Sequence, residues 1–320
     1  MPTGTITEYH RECFTVALDP DRREIVATLR YWDALQTKRQ KKADSKDGAI
    51  VIAHQATVGD HVLLSEPEPD RYVIEEVADR RSWLARKGTL RYGRHLQLVV
   101  ANADQLAVVV SPKPRIAVSL IDRYFLAALQ GGLEPVLVVN KLDLDQRLPD
   151  RPDFTCYRQL GYRLFFTCAL DGTGLDELGA ELAGRTTALC GLSGVGKSTI
   201  LSALTGVEIA TGPVKKAGTG RQTTADSRLY FLPGGGSVVD TPGIRVFGLT
   251  SLSRRHIRGY FRDLFELARG CKYANCTHTH EPDCALRQAI TDGELAASRL
   301  ESFHKLVNEP ELKYWEKYMG

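Results

Sequence analysis

The period of the apolar positions changes twice along the chain. From the N-terminus to about residue 97 the apolar residues come in short runs. "CFTVAL" (13–18) and "EIVATL" (24–29) flank the turn-rich "DPDRR", "HVLLS" (61–65) follows Gly59-Asp60, and "RYVIEEV" (71–77) follows a proline-rich turn. Short runs separated by turn signals about every ten residues predict a small antiparallel barrel or sandwich. "TKRQKKADSKDG" (37–48) is polar throughout and reads as a loop. From residue 98 near-continuous apolar strands take over: "LAVVVS" (106–111), "PVLVV" (135–139), "YRLFFT" (162–167) and "TTALC" (186–190). A helical face made of Leu120, Ile121, Tyr124, Phe125, Ala128 and Leu129 lies between the first two. This alternation predicts a mostly parallel sheet covered on both faces. "RLYFL" and "SVVD" form a hairpin that ends at Asp240. After about residue 250 the period becomes helical. Ile257, Phe261, Leu264 and Phe265 share one face, and Thr291-x-x-Glu294 reads as a capping box ahead of a helix carrying Ala296, Leu300, Phe303 and Val307.

Three regions follow: residues 1–97 (β), 98–249 (α/β) and 250–320 (mainly helical). The chain's 320 residues, 43% hydrophobic and 25% charged, suffice for two or three cores. A net charge of +3 excludes a polycation, so any nucleic-acid surface must be a local patch. One candidate is the acid-free run holding Arg80, Arg81, Arg86, Lys87, Arg91 and Arg94, with Trp83 as a stacking surface. A second is the helix with Arg254, Arg255, Arg258 and Arg262. The N-terminus lacks a secretory pattern and no apolar run is long enough to cross a bilayer, so no membrane partner is expected. Seven cysteines, four of them scattered, argue for a reducing cytosol.

The candidate chemistry lies in four motifs. "GLSGVGKST" (Gly191, Leu192, Ser193, Gly194, Val195, Gly196, Lys197, Ser198, Thr199) fits a phosphate loop. Its glycines let backbone N–H groups face phosphate, Lys197 neutralises the β and γ phosphates, and the Ser198 hydroxyl suits Mg²⁺. "NKLD" (Asn140, Lys141, Leu142, Asp143) ends an apolar strand. A carboxylate there accepts both donors of guanine's Watson–Crick edge and finds an acceptor on adenine instead, so Asp143 selects guanine. Asn140 can also tie its loop to the phosphate loop, and the Lys141 stem can lie on the ring. "TCAL" fits a base-backing loop, with Cys168 where serine is usual and the Ala169 N–H aimed at guanine O6. "DTPG" supplies Asp240 for Mg²⁺ through water and the Gly243 N–H for the γ-phosphate, and "GRQTT" offers Thr223 and Thr224 as switch ligands. Ile244 occupies the position of the usual water-orienting glutamine, which leaves Gln222 as a candidate for that role.

The order is base reader, phosphate loop, threonine switch, Asp switch: a circular permutation of a Ras-like domain. The Asp switch then runs directly into the C-terminal segment, and loss of γ-phosphate is expected to move that segment. There, Cys271, Cys276 and Cys284 with His278 or His280 make a closed tetrahedral zinc set, which favours a structural role.

With these motifs in hand, the chain resembles the circularly permuted, small-ribosomal-subunit-dependent GTPases of the RsgA family. The resemblance rests on "ANADQLAVVVS", "IDRYFLAA", "VVNKLDL", "GLSGVGKSTILSAL", "GRQTT", "VVDTPGIR" and "CTHTHEPDC". It implies a multidomain chain with an N-terminal OB-like β-barrel, a central circularly permuted α/β P-loop GTPase domain and a C-terminal mainly helical zinc-binding domain. It implies His278 as the fourth zinc ligand, Mg²⁺ with GTP or GDP, and a cytoplasmic monomer that matures the small ribosomal subunit on its rRNA. Gln222 stands where the family usually has histidine. The alternative function is a GTP-gated RNA- or protein-binding module with incidental hydrolysis.

Overall fold

The computed structural model describes residues 1–10, 13–30, 51–52, 56–87, 95–209, 227–241 and 254–308. Five N-terminal strands close on themselves: β1 (Thr3–Tyr9), β2 (Phe14–Leu18), β3 (Glu24–Leu29), β5 (His61–Glu68) and β6 (Arg71–Val77), with β4 (Val51–Ile52) outside the ring. β1 pairs antiparallel with β2 and, through Thr3, Gly4 and Thr5, with β5; β3 runs parallel to β6. The inward residues Ile6, Phe14, Val16, Ala27, Leu64 and Ile74 are buried and fill the barrel. Gly4 allows the closure, since a Cβ there would lie 2.6 Å from the Ala17 carbonyl oxygen. β1 escapes sequence reading because Ile6 is its only aliphatic residue beyond alanine size.

The same β1 edge that closes the barrel reaches further. After a register shift between Ile6 and Glu8, Glu8 pairs with Arg228 of β13 (Arg228–Phe231). The barrel thereby joins an 11-stranded sheet whose order is β11-β10-β9-β12-β14-β13-β1-β2-β3-β6-β5. The remaining members are β9 (Gln105–Val110), β10 (Glu134–Asn140), β11 (Arg163–Thr167), β12 (Thr186–Cys190) and β14 (Ser237–Asp240). β7 (Trp83–Lys87) and β8 (His95–Ala101) pair with each other beside β4 in a separate sheet, and β8 runs across position 97.

β9 is buried along its whole length and pairs in parallel with β10 and β12. Its residues alternate between two cores, as strand geometry requires. Ala107 and Val109 meet α3 (Leu175–Leu182) and α4 (Lys197–Thr205). Leu106, Val108 and Val110 belong to a larger core with α1 (Val118–Gln130), α2 (Pro152–Gln159) and the C-terminal helices. The helical face expected from Ile121, Tyr124, Phe125 and Ala128 is buried, whereas Leu129 is exposed.

The C-terminal helices are α5 (Arg254–Tyr260), α6 (Arg262–Ala268), α7 (Ala285–Thr291) and α8 (Ala297–Val307). The first apolar face is split at Phe261 between α5 and α6, with Ile257, Phe261 and Leu264 still buried together. The capping box is not formed. Thr291 ends α7, where its hydroxyl donates to the Arg287 carbonyl (3.0 Å), and α8 starts after Ala296 without a side-chain cap. The Glu294 N–H instead closes the preceding helix by donating to the Ala289 carbonyl.

A buried ionic network pins these helices to α1. Arg299 donates to Asp122 Oδ1 (2.6 Å) and to both Asp263 oxygens (3.1 and 3.2 Å); Tyr157 and Tyr260 hydroxyls also donate to Asp122 Oδ1 (2.8 and 2.6 Å). The Arg299 side chain is 1% exposed and that of Asp122 0%. Moving the C-terminal helices away from α1 would strand both charges, so the packing opposes the displacement expected from sequence. Among the described residues, no helix is long and apolar enough to cross a membrane.

Candidate functional site

The parallel strands β10, β11, β12 and β14 end at one edge of the sheet, the edge where open α/β sheets hold ligands. They deliver Asn140, Thr167, Cys190 and Asp240 there. Asn140 pairs with Thr167 in register, and Leu189, next to Cys190, pairs with Asp240. The base reader and the phosphate loop, about fifty positions apart in sequence, therefore emerge side by side.

Asn140 joins them. It is 2% exposed, and its Nδ2 donates to the Val195 carbonyl at 2.9 Å. Its Oδ1 accepts from the Thr167 hydroxyl (3.1 Å) and from the Ala169 N–H (3.2 Å). Gly196 makes room for this contact: at φ +98°, a Cβ there would lie 2.3 Å from Asn140 Nδ2. The Ala169 N–H expected to face guanine thus donates to Asn140 instead. Lys141 sits at φ 66° and its ammonium donates to the carbonyls of Gly194 and, at 3.3 Å, Lys113. Leu142 opens a short 3-10 turn that leaves Asp143 exposed, with the buried Cys168 thiol donating to its Oδ1 at 3.3 Å. A carboxylate held at a strand end and open to solvent is suited to accept from a purine edge.

The phosphate loop bends as its glycines allow. Gly191 is at φ +143° with the Val109 carbonyl oxygen only 2.2 Å from where a Cβ would stand, while Gly194 at φ +83° faces open space. Leu192 is half-buried, Ser193 exposed and Val195 buried, so Val195 anchors the loop to the sheet. α4 starts at Lys197, with Ser198 and Thr199 in its first turn. The Lys197 ammonium donates to the carbonyls of Gly191 (2.9 Å) and Leu192 (3.2 Å) across the loop mouth. Burial lowers its pKa and the nearby Asp240 opposes that. Burial likewise raises the Asp240 carboxyl, and Lys197 opposes that. Asp240 Oδ1 is buried without a hydrogen-bond partner among the described residues. A hard cation supplies the contact such an oxygen lacks, so the donor set fits Mg²⁺. Gln222, Thr223, Thr224, Gly243 and Ile244 lie outside the described residues.

The second site lies between α6 and α7. The ligating atoms of Cys271, Cys276, His278 and Cys284 all fall within 4.8 Å of one another. His278 Nδ1 is 3.6 Å from the Cys271 sulfur and 3.5 Å from the Cys284 sulfur. Tetrahedral zinc with ordinary Zn–S and Zn–N bonds requires about 3.5 Å between such atoms, so the set fits zinc. Burial lowers the His278 pKa and favours the neutral, ligating imidazole. His280 stands apart, bonded to the Thr279 hydroxyl at 2.8 Å. Sequence reading missed two supports of this loop. Glu281 accepts from the N–H groups of Thr277 (2.9 Å), Thr279 (3.2 Å) and His280 (3.3 Å), bracketing His278 at its φ of 62°. His304 of α8 bonds the Thr277 carbonyl at 3.1 Å. The glutamate three residues after a ligand was the available signal.

The expected basic patch is partly reassigned. Arg80 is bidentate on the buried Asp60 (2.7 and 2.8 Å), and Arg81 pairs with Asp104 and donates to the Asn102 carbonyl (2.7 Å). The Arg80 pair lies within the N-terminal region, whereas Arg81 ties that region to the α/β sheet. Trp83 packs on Ala85 and Leu98. The side chains of Lys87, Arg91, Arg94, Arg254 and Arg255 lie outside the described residues.

The RsgA GTPase family model matches residues 77–250, more than half of the chain. A protein of Pseudomonas aeruginosa (strain LESB58), "Small ribosomal subunit biogenesis GTPase RsgA", is 37% identical over 287 residues, 86% of this chain and 84% of its own. The chain belongs to the RsgA GTPase family. Another RsgA, from Chlorobaculum tepidum, is 39% identical over 272 residues, covering 82% of this chain and 86% of that one. The crystal structure of YjeQ from Thermotoga maritima superimposes with a TM-score of 0.66 at 29% identity, covering 100% of this chain and 99% of that one. That of YloQ, described as a circularly permuted GTPase, gives 0.63 at 24% identity over 98% and 96%, a likeness of fold. As an RsgA GTPase the chain is a GTP hydrolase.

Proposed function

We propose that this chain hydrolyses GTP to GDP and phosphate as a late maturation factor of the small ribosomal subunit, with turnover raised by that subunit. The observation that carries the reading is the hydrogen bond from Asn140 to the Val195 carbonyl, which makes base reader and phosphate loop one pocket despite their permuted order. The names of the relatives supply the ribosomal assignment.

In this reading residues 1–97 form an OB-like RNA-binding barrel, 98–249 the permuted GTPase domain and 250–320 the zinc-binding helical domain. Asp143 accepts from the guanine edge. Residues Gly191 to Thr199 wrap the phosphates, with Lys197 neutralising the β and γ groups. Ser198 and Asp240 would hold Mg²⁺, which would supply positive charge against that of the phosphates. Thr223 and Thr224 are the candidate ligands for Mg²⁺ and the γ-phosphate, the Gly243 N–H senses the γ-phosphate, and Gln222 orients the attacking water. Cys271, Cys276, His278 and Cys284 hold one structural zinc. The protein works as a cytoplasmic monomer on rRNA. The test is GTP turnover with and without purified subunits: a large rise with small but not large subunits supports the proposal, and no rise refutes it. Ile244 favours a second reading, a GTP-gated binding module with incidental hydrolysis. Nucleotide-dependent subunit binding with unchanged turnover is its signature.

A further inference from the structure

A cavity of about 180 Å³ opens where the barrel meets the nucleotide sheet. Thr5, Arg22 and His61 line it from the barrel; Thr186, Phe231 and Ser237 line it from β12, β13 and β14. Thr186 and Ser237 are the first residues of their strands, whereas the phosphate loop and Asp240 follow or end the same strands. The cavity is therefore at the opposite end of the sheet from the nucleotide pocket.

Its walls are rich in donors. The Arg22 guanidinium lies 4.3 Å from the centre of the Phe231 ring, which fixes it across the seam, and it has no carboxylate partner among the described residues. His61 Nδ1 is 3.1 Å from the Thr5 hydroxyl, which leaves Nε2 for another contact. The hydroxyls of Thr186 and Ser237 are 3.0 Å apart, so one of their two protons remains over after they bond each other. Among the described residues, no carboxylate lines the space. A planar guanidinium, an imidazole and a hydroxyl lining one cavity from two walls match an anion with oxygens on several sides, and the guanidinium fork favours phosphate.

We infer that this cavity binds a phosphate group clasped between the barrel and the nucleotide sheet. The two are joined near it by the strand partnership of Glu8 with Arg228, by the Ala101 N–H on the Val58 carbonyl and by Asn102 Nδ2 on the Gly59 carbonyl. A bridging phosphate adds a further fastening between the barrel and the sheet. The phosphate can be the free ion or a phosphodiester of RNA.

The test uses the full chain saturated with GDP, so that the phosphate loop is filled. Inorganic phosphate is titrated at constant ionic strength while the imidazole proton resonances are followed by NMR, with His61 assigned by its loss in His61→Gln. A saturable shift of His61 is expected, with Arg22→Ala weakening the apparent Kd about tenfold, the scale of one charge-assisted hydrogen bond. A short oligouridylate forms the second arm. If it shifts His61 with the same Arg22 dependence, the site accepts RNA; if only inorganic phosphate does, the site takes the free ion. The inference is overturned if neither probe moves His61, or if Arg22→Ala responds as the parent does.

Discussion

Replacing Arg299 by methionine should remove about 3–5 kcal/mol of stability, the usual loss when one partner of a buried ion pair is taken away. Methionine retains much of the volume beneath the Phe261 and Tyr260 rings, which lie 4.1 and 4.6 Å from the guanidinium carbon. The loss is therefore mainly electrostatic. Asp122 would keep the Tyr157 and Tyr260 hydroxyls on Oδ1, but Oδ2 already has no hydrogen-bond partner among the described residues, and the carboxylate is fully buried. Asp263 loses less, being 18% exposed and able to hydrate. The assay is urea unfolding followed by far-ultraviolet circular dichroism, with hydrogen exchange of α8 as the local readout. The double variant Arg299→Met/Asp122→Asn removes the stranded charge and should recover at least half the deficit. A single variant within about 1 kcal/mol of the parent, the range of an ordinary surface change, would refute the reasoning. So would a double variant whose deficit equals the sum of the singles.

Asp143→Asn should lower the preference for GTP over xanthosine triphosphate by about a hundredfold or more in competition binding, because the amide presents a donor to guanine's donors. Cys284→Ser should abolish stoichiometric zinc by metal analysis and expose the α6–α7 region to proteolysis, and a strong chelator should do the same to the parent. Burial pushes the Cys156 thiol from 9.0 up to about 11. The folded chain then keeps a proton that the unfolded chain releases, so this contribution is intact below pH 9 and is lost as pH rises toward 11. Cys156→Ala should flatten alkaline unfolding across that window relative to the parent.

The motifs gathered at the strand-end edge were legible because their patterns are local: glycines at fixed spacing, a lysine and hydroxyl after them, Asn-Lys-x-Asp at a strand end. Their convergence also followed, since parallel strands bring their ends to one edge. The zinc set was legible except for the choice between two histidines, which spacing left open and the fold of the Glu281-clasped loop favours as His278. What was hidden depends on distant partners. Nothing near Asp122 announces Arg299, which lies 177 positions away. Arg80 and Arg81 looked like free cations because Asp60 and Asp104 are 20 and 23 positions off. The helix Pro152–Gln159 was missed because its sequence, "PDFTCYRQ", shows only weak apolar periodicity.

The distance from Asp122 to Arg299 also governs how the chain is made. The face of α1 that carries Asp122 leaves the ribosome early and gains its last cover only when α8 is synthesised. At ordinary elongation rates that interval is roughly ten to thirty seconds. For all of it a nascent chain presents aromatic surface around a carboxylate without its cation. Premature termination before residue 297 would leave that surface bare, so fragments ending there should bind chaperones and aggregate even though every nucleotide-binding loop is already present.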